Sequence, residues 1–205
     1  GHAWALYRIL HEDLGGEEPD RFAFLRPAEG FKSSHLVELP NGGYDFSLMR
    51  HFLFDQAESV RYESLQDSSF EPFRHISRKF RGELKYHTLH ADAWILQLSG
   101  GGEESRHRMQ QALNETIALA AGIFEASPLH EGALIAEKVY PGEAELYLRW
   151  QDRIYNILVR ASLNLPDMET LAPVYGGRRG FHTQYLQPLL KEMGEVFNLD
   201  AEASW

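Results

Sequence analysis

The chain has 205 residues, enough for one domain with a sizeable core. Apolar residues make up 43% and charged residues 24%, the balance of an ordinary soluble globular protein, and the formal charge of −10 argues against a nucleic-acid-binding surface. Cysteine is absent, which excludes disulfides, thiolate metal sites and cysteine nucleophiles together. No run approaches the roughly twenty apolar residues of a membrane span, and no signal peptide is visible, so the expectation is a cytoplasmic protein that binds neither membrane nor nucleic acid.

The first element begins in mid-helix. "GHAWALYRIL" has no Met and no capping residue, and it already reads as the body of an amphipathic helix that runs to about Leu14 and stops at Gly15-Gly16. The expectation is a helical stub whose natural front end is missing. A short apolar helix follows Pro19, with Phe22, Phe24 and Leu25. An irregular stretch then leads to "LPNGG", a turn signal.

Four long helices are predicted next. The first spans about Tyr44 to Leu65, with Phe46, Met49, Leu53, Ala57 and Val60 on one face. The second runs from about Ser69 to Leu98. Its stripe is Phe73, Ile76, Phe80, Leu84, His87, Ala91, Trp94 and Leu98, and it ends at "SGGG". The third spans about Glu103 to Glu125, with Met109, Leu113, Ile117, Ala120 and Phe124 inward. After an irregular stretch with Pro128 and Pro141, the fourth runs from about Gly142 to Leu163 with Leu146, Trp150, Ile154, Ile157 and Ala161. A last helix follows "YGGRRGFHT" and carries Leu186, Leu189, Leu190, Met193 and Phe197. No alternating strand pattern appears. The fold class is all-α, a single helical domain over residues 1–205 with long central helices.

One polar side chain breaks the second stripe. His87 is expected to point into the bundle, where an unpartnered polar group would cost a few kcal/mol. A di-iron helix of the Glu-x-x-His type would need a glutamate three residues before it, and that position is Leu84, which cannot bind iron. Glu83 is rotated by about 100° from position 84, and His90 lies at the edge of the buried face. On the preceding helix Asp55 shares a face with Leu48, Phe52 and Tyr62. A carboxylate facing a histidine without a glutamate partner reads as a buried hydrogen-bonded pair in preference to a metal site or to a solvent-facing geometry.

Four stretches then carry a resemblance. "VELPNGGYDFSLMRHFLFDQ", "ELKYHTLHADAWI", "RMQQALNETIALAAGIFE" and "GGRRGFHTQYLQPLLKEM" follow the order and spacing of the C subunits of bacterial phenylacetyl-CoA epoxidases, which are multicomponent ring monooxygenases. The chain resembles that family over almost its whole length, and the closing Trp205 fits too. The resemblance implies a ferritin-like helical bundle, N-terminally incomplete here, in a structural and non-catalytic subunit. It implies no cofactor in this chain and a di-iron centre in a catalytic A subunit, with a small B subunit and a flavin and iron–sulfur reductase completing the complex. By similarity, Asp55, Leu84 and His87 stand at degenerate former ligand positions, with leucine replacing the glutamate. The competing reading makes the chain itself a metal-dependent oxidoreductase through Asp55, His87 and Glu83 or His90. A third is a stand-alone ferritin-like binding protein.

The loop "YGGRRGFHTQ" has three open readings. Arg178, Arg179 and His182 could hold a coenzyme A phosphate at a helix N-terminus, they could touch an acidic partner subunit, or the stretch is a turn with solvated arginines and Thr183 as N-cap.

Overall fold

The computed structural model describes residues 1–127 and 129–201; Pro128 and the closing residues with Trp205 lie outside the described residues. Among the described residues the chain is helical with no strand, and no helix is long and apolar enough to cross a membrane. The helices are α1 (His2–Glu12), α2 (Pro19–Phe24), α3 (His35–Glu38), α4 (Tyr44–Ser64), α5 (Glu71–Ser99), α6 (Glu103–Ala121), α7 (Glu131–Ala136), α8 (Glu143–Arg160) and α9 (Leu186–Gly194). The chain divides into two compact units: residues 41–175, and residues 1–40 with those from 176 onward.

The larger unit is the ferritin-like bundle of α4, α5, α6 and α8. Its axis is α4, which packs against the other three. That position explains why α4 buries more than one stripe: Leu48, Met49, Phe52, Leu53, Gln56, Ala57, Val60 and Tyr62 are all withdrawn from solvent. From α6 come Met109, Leu113, Ile117 and Ala120, and from α8 Leu146, Trp150, Ile154 and Leu158. Burying side chains of this size contributes about 1.5–3 kcal/mol each before entropy is charged against it. Trp150 is fully buried, packs against Phe124 at 5.3 Å between ring centroids, and donates its indole N–H to the Leu53 carbonyl at 3.0 Å. The tryptophan thus fills volume without leaving a polar orphan.

A buried ion pair ties α4 to α8. The Arg61 guanidinium donates two hydrogen bonds, both 2.8 Å, to the buried Glu143 carboxylate. Burial works against the Arg61 charge, but Glu143 outweighs it and holds the group above its ordinary value. Neither residue shows in a helical stripe.

The smaller unit gathers α1, α2, α3 and α9. Tyr7 of α1 meets Phe22 of α2 at 5.2 Å, and Phe24 stacks on Phe197 at 4.8 Å. The Arg26 guanidinium lies between the rings of Phe22 and Phe31, at 4.2 and 3.9 Å. In α9 Leu186 is buried as expected, but Met193 is about half exposed.

Candidate functional site

Two places carry the residues singled out by the sequence. The first is the flank of the α4–α5 pair that holds Asp55 and His87. Leu84 is buried, as its stripe predicts. His87 is not: it is exposed, and so are Glu83 and His90. This corrects the expectation of an inward histidine. Beyond Leu84 the buried face continues through half-buried Thr88 to Ala91, Ile95 and Ser99. A step from 84 to 88 is as compatible with a helix as a step from 84 to 87. In the inner position the Thr88 hydroxyl donates to the Leu84 carbonyl at 3.0 Å and so is satisfied within its own helix.

Asp55 is partly buried on α4. Burial pushes its carboxyl above the usual range, and the nearby His51, His87 and His90 pull it partway back. No hydrogen bond reaches its side chain among the described residues. The expected Asp55–His87 hydrogen-bonded core pair is therefore absent; the two groups feel each other only at a distance. Among the described residues no three His, Asp or Glu side chains gather closely enough to hold a metal ion. With a hydrocarbon at position 84, the residues present here do not fit a di-iron centre. The flank is instead a run of rings: Tyr86 stacks on His90 at 6.2 Å, His90 meets Trp94 at 6.3 Å, and Trp94 meets Tyr44 at 6.3 Å.

The second place is the loop 176–183 in the smaller unit. Gly180 has φ +86°, the left-handed region, and Gly177 lies against the segment at Ser33: a Cβ there would sit 1.9 Å from the Ser33 carbonyl oxygen. The loop is thereby pressed onto the residues leading into α3. His35 reaches back to the Phe181 carbonyl oxygen at 2.7 Å.

At the centre of this contact is Glu38, which no motif or stripe in the sequence singles out. Its side chain is fully buried. It accepts from His182 Nδ1 at 2.7 Å, from the Thr183 backbone N–H at 2.8 Å and from the Ser33 hydroxyl at 3.0 Å. His182 Nε2 also faces the Phe31 carbonyl oxygen at 3.2 Å. Burial works to raise the Glu38 pKa, but the hydrogen bonds from Thr183, His182 and Ser33 outweigh it and hold the carboxyl below its usual range.

This decides part of the loop's chemistry. His182 is turned inward and is taken up by Glu38, and the Thr183 N–H that a phosphate would need already has a carboxylate on it. The helix itself starts only at Leu186. The Thr183 hydroxyl accepts from the Tyr185 N–H at 3.3 Å, a turn ahead of α9 in place of a helix cap. Arg178 is half-buried and Arg179 exposed, and both are engaged in interactions of their own. Glu38 had no local signal, because two of its three partners, His182 and Thr183, lie 144 and 145 residues away.

Comparison with known proteins agrees with the resemblance. A family model described as phenylacetic acid catabolic protein matches residues 1–205. The chain is 30% identical over 182 residues to the C subunit of 1,2-phenylacetyl-CoA epoxidase from Escherichia coli strain K12, across 88% of this chain and 72% of that protein. With the helical bundle and the family model spanning the chain, this protein belongs to the phenylacetic acid catabolic protein family.

Proposed function

We propose that this chain is a non-catalytic structural subunit of a multicomponent phenylacetyl-CoA ring epoxidase, acting in aerobic phenylacetate breakdown. The observation that carries the reading is Leu84. It is buried at the position where a Glu-x-x-His metal helix needs a carboxylate, while His87 faces solvent. The chain then holds no cofactor of its own, and the two irons belong to a catalytic A subunit. A small B subunit and a flavin and iron–sulfur reductase complete the assembly.

The physical work of such a subunit is to bury a face against the iron-bearing partner and order its helices. A surface of that kind is available on α8. Leu148, Tyr155 and Val159 are each more than half exposed, and their helical spacing lays them along one ridge. The α5 flank adds exposed Tyr86 and Leu89.

The test is co-expression with the catalytic subunit. The catalytic subunit alone is expected to be insoluble or inactive, and this chain to restore it; equal activity without this chain rejects the proposal. Iron content separates the competing reading, in which Asp55, His87 and Glu83 or His90 bind metal. Ferrous loading is expected to leave the chain near zero iron. Two irons per chain would make it an enzyme in its own right.

A further inference from the structure

A cleft of about 350 Å³ opens on the larger unit where α4, α5 and α8 meet. That volume lies in the lower range of small-molecule sites. Three cations edge it, Arg81 and Lys85 from α5 and Arg153 from α8, against a single carboxylate, Glu63. Arg153 is already committed: it pairs with Glu63 and donates to the Ser59 hydroxyl oxygen at 2.9 Å. Arg81 and Lys85 are different. They stand one turn apart, both exposed, and neither side chain has an ion pair or hydrogen bond among the described residues. Like charges at this spacing repel each other. In a chain of formal charge −10, Arg81 and Lys85 continue a basic run on α5 with exposed Arg78 and Lys79, and they are the members of that run that line the concave site.

The hydroxyls on the same wall narrow the chemistry. Ser77 lies one turn before Arg81, and Thr88 one turn after Leu84. Ser77 gives its proton to the Phe73 carbonyl at 2.6 Å, and Thr88 gives its proton to the Leu84 carbonyl. Each oxygen therefore offers the cleft only an acceptor. A ligand that suits this wall carries negative charge for Arg81 and Lys85 and O–H donors for Ser77 and Thr88.

We propose that the α4–α5–α8 cleft is a binding site for a small phosphate-bearing anion, with Arg81 and Lys85 as its charged contacts and Ser77 and Thr88 as acceptors for P–OH or ester hydroxyl groups. A phosphate monoanion meets both requirements, whether free or as the head of a phosphate ester. Sulfate, which has no O–H at neutral pH, meets only the first.

The experiment is calorimetric titration of the full chain at low ionic strength with inorganic phosphate, glycerol phosphate and sulfate. The expected result is saturable one-site binding of phosphate, tighter than that of sulfate, and weakened about tenfold or more in R81Q/K85Q. Tighter binding of glycerol phosphate than of phosphate assigns the site to an ester; the reverse assigns it to the free ion. Both replaced side chains are exposed and glutamine is accepted in a helix, so the variant keeps its fold. R178Q/R179Q, outside the cleft, is expected to bind like the parent. Absence of saturation, equal affinity for sulfate, or unchanged binding in R81Q/K85Q overturns the proposal. So does an acidic peptide that binds through Arg81 and Lys85 where phosphate does not.

Discussion

His182 Nδ1 lies 2.7 Å from the carboxylate of Glu38, joining two segments 144 residues apart. Together with the Thr183 N–H and the Ser33 hydroxyl, it brings three donors onto one buried acid. Glu38→Gln puts an amide N–H₂ where one of those donors points. We expect a loss of about 1–3 kcal/mol, read as a lower denaturant midpoint at pH 7. No change would mean that the contact contributes nothing to folding.

The pH dependence of that variant has a defined sign. The folded-state pKa of Glu38 lies below its unfolded value of 4.5. Its contribution is therefore present above pH 4.5 and fades as pH falls through the folded value. The stability gap between parent and Glu38→Gln is expected to be full at neutral pH and to close in acid. A gap that widens on acidification contradicts the assignment.

Asp55 behaves in the opposite sense. Burial raises its folded pKa above 3.8, and the three histidines do not fully offset this. The ionised form is thus disfavoured by folding, and stability is lost as pH rises through the folded value. Asp55→Asn removes that loss, so it is expected to be more stable than the parent at pH 7 and equal to it below the unfolded pKa. A destabilised Asp55→Asn at pH 7 would show that Asp55 has a buried partner after all.

Arg61 and Glu143 form a pair in which each depends on the other. Replacing Glu143 by Gln leaves a largely buried guanidinium short of its counter-charge, and about 3–5 kcal/mol is the expected cost. Replacing both, as Arg61→Met with Glu143→Leu, is expected to recover most of it. A double-mutant cycle in urea measures this; additive losses would mean that the pair has no coupling.

Gly177→Ala tests the docking of the conspicuous basic loop. The added Cβ would meet the Ser33 backbone oxygen at 1.9 Å, so backbone must move. A loss on the order of 1–3 kcal/mol is expected, with faster proteolysis at the loop. Gly132→Ala is the control, since open space surrounds that position.

Much of this protein was legible locally. The glycine and proline stops together with the apolar stripes set α4, α5, α6 and α8 close to their observed bounds, because a helix's buried face repeats every three to four residues within one segment. The same local rule put a leucine, Leu84, three residues before His87, where a Glu-x-x-His helix carries its glutamate. It could not distinguish His87 from Thr88 as the next inward residue, since both follow Leu84 at helical spacing and the neighbouring helices determine which is covered. The Glu38 contacts and the Arg61–Glu143 pair lie beyond any local pattern. Each is made by single polar residues far apart in the chain, and only the packing of their helices and loops brings donor and acceptor to within 3 Å.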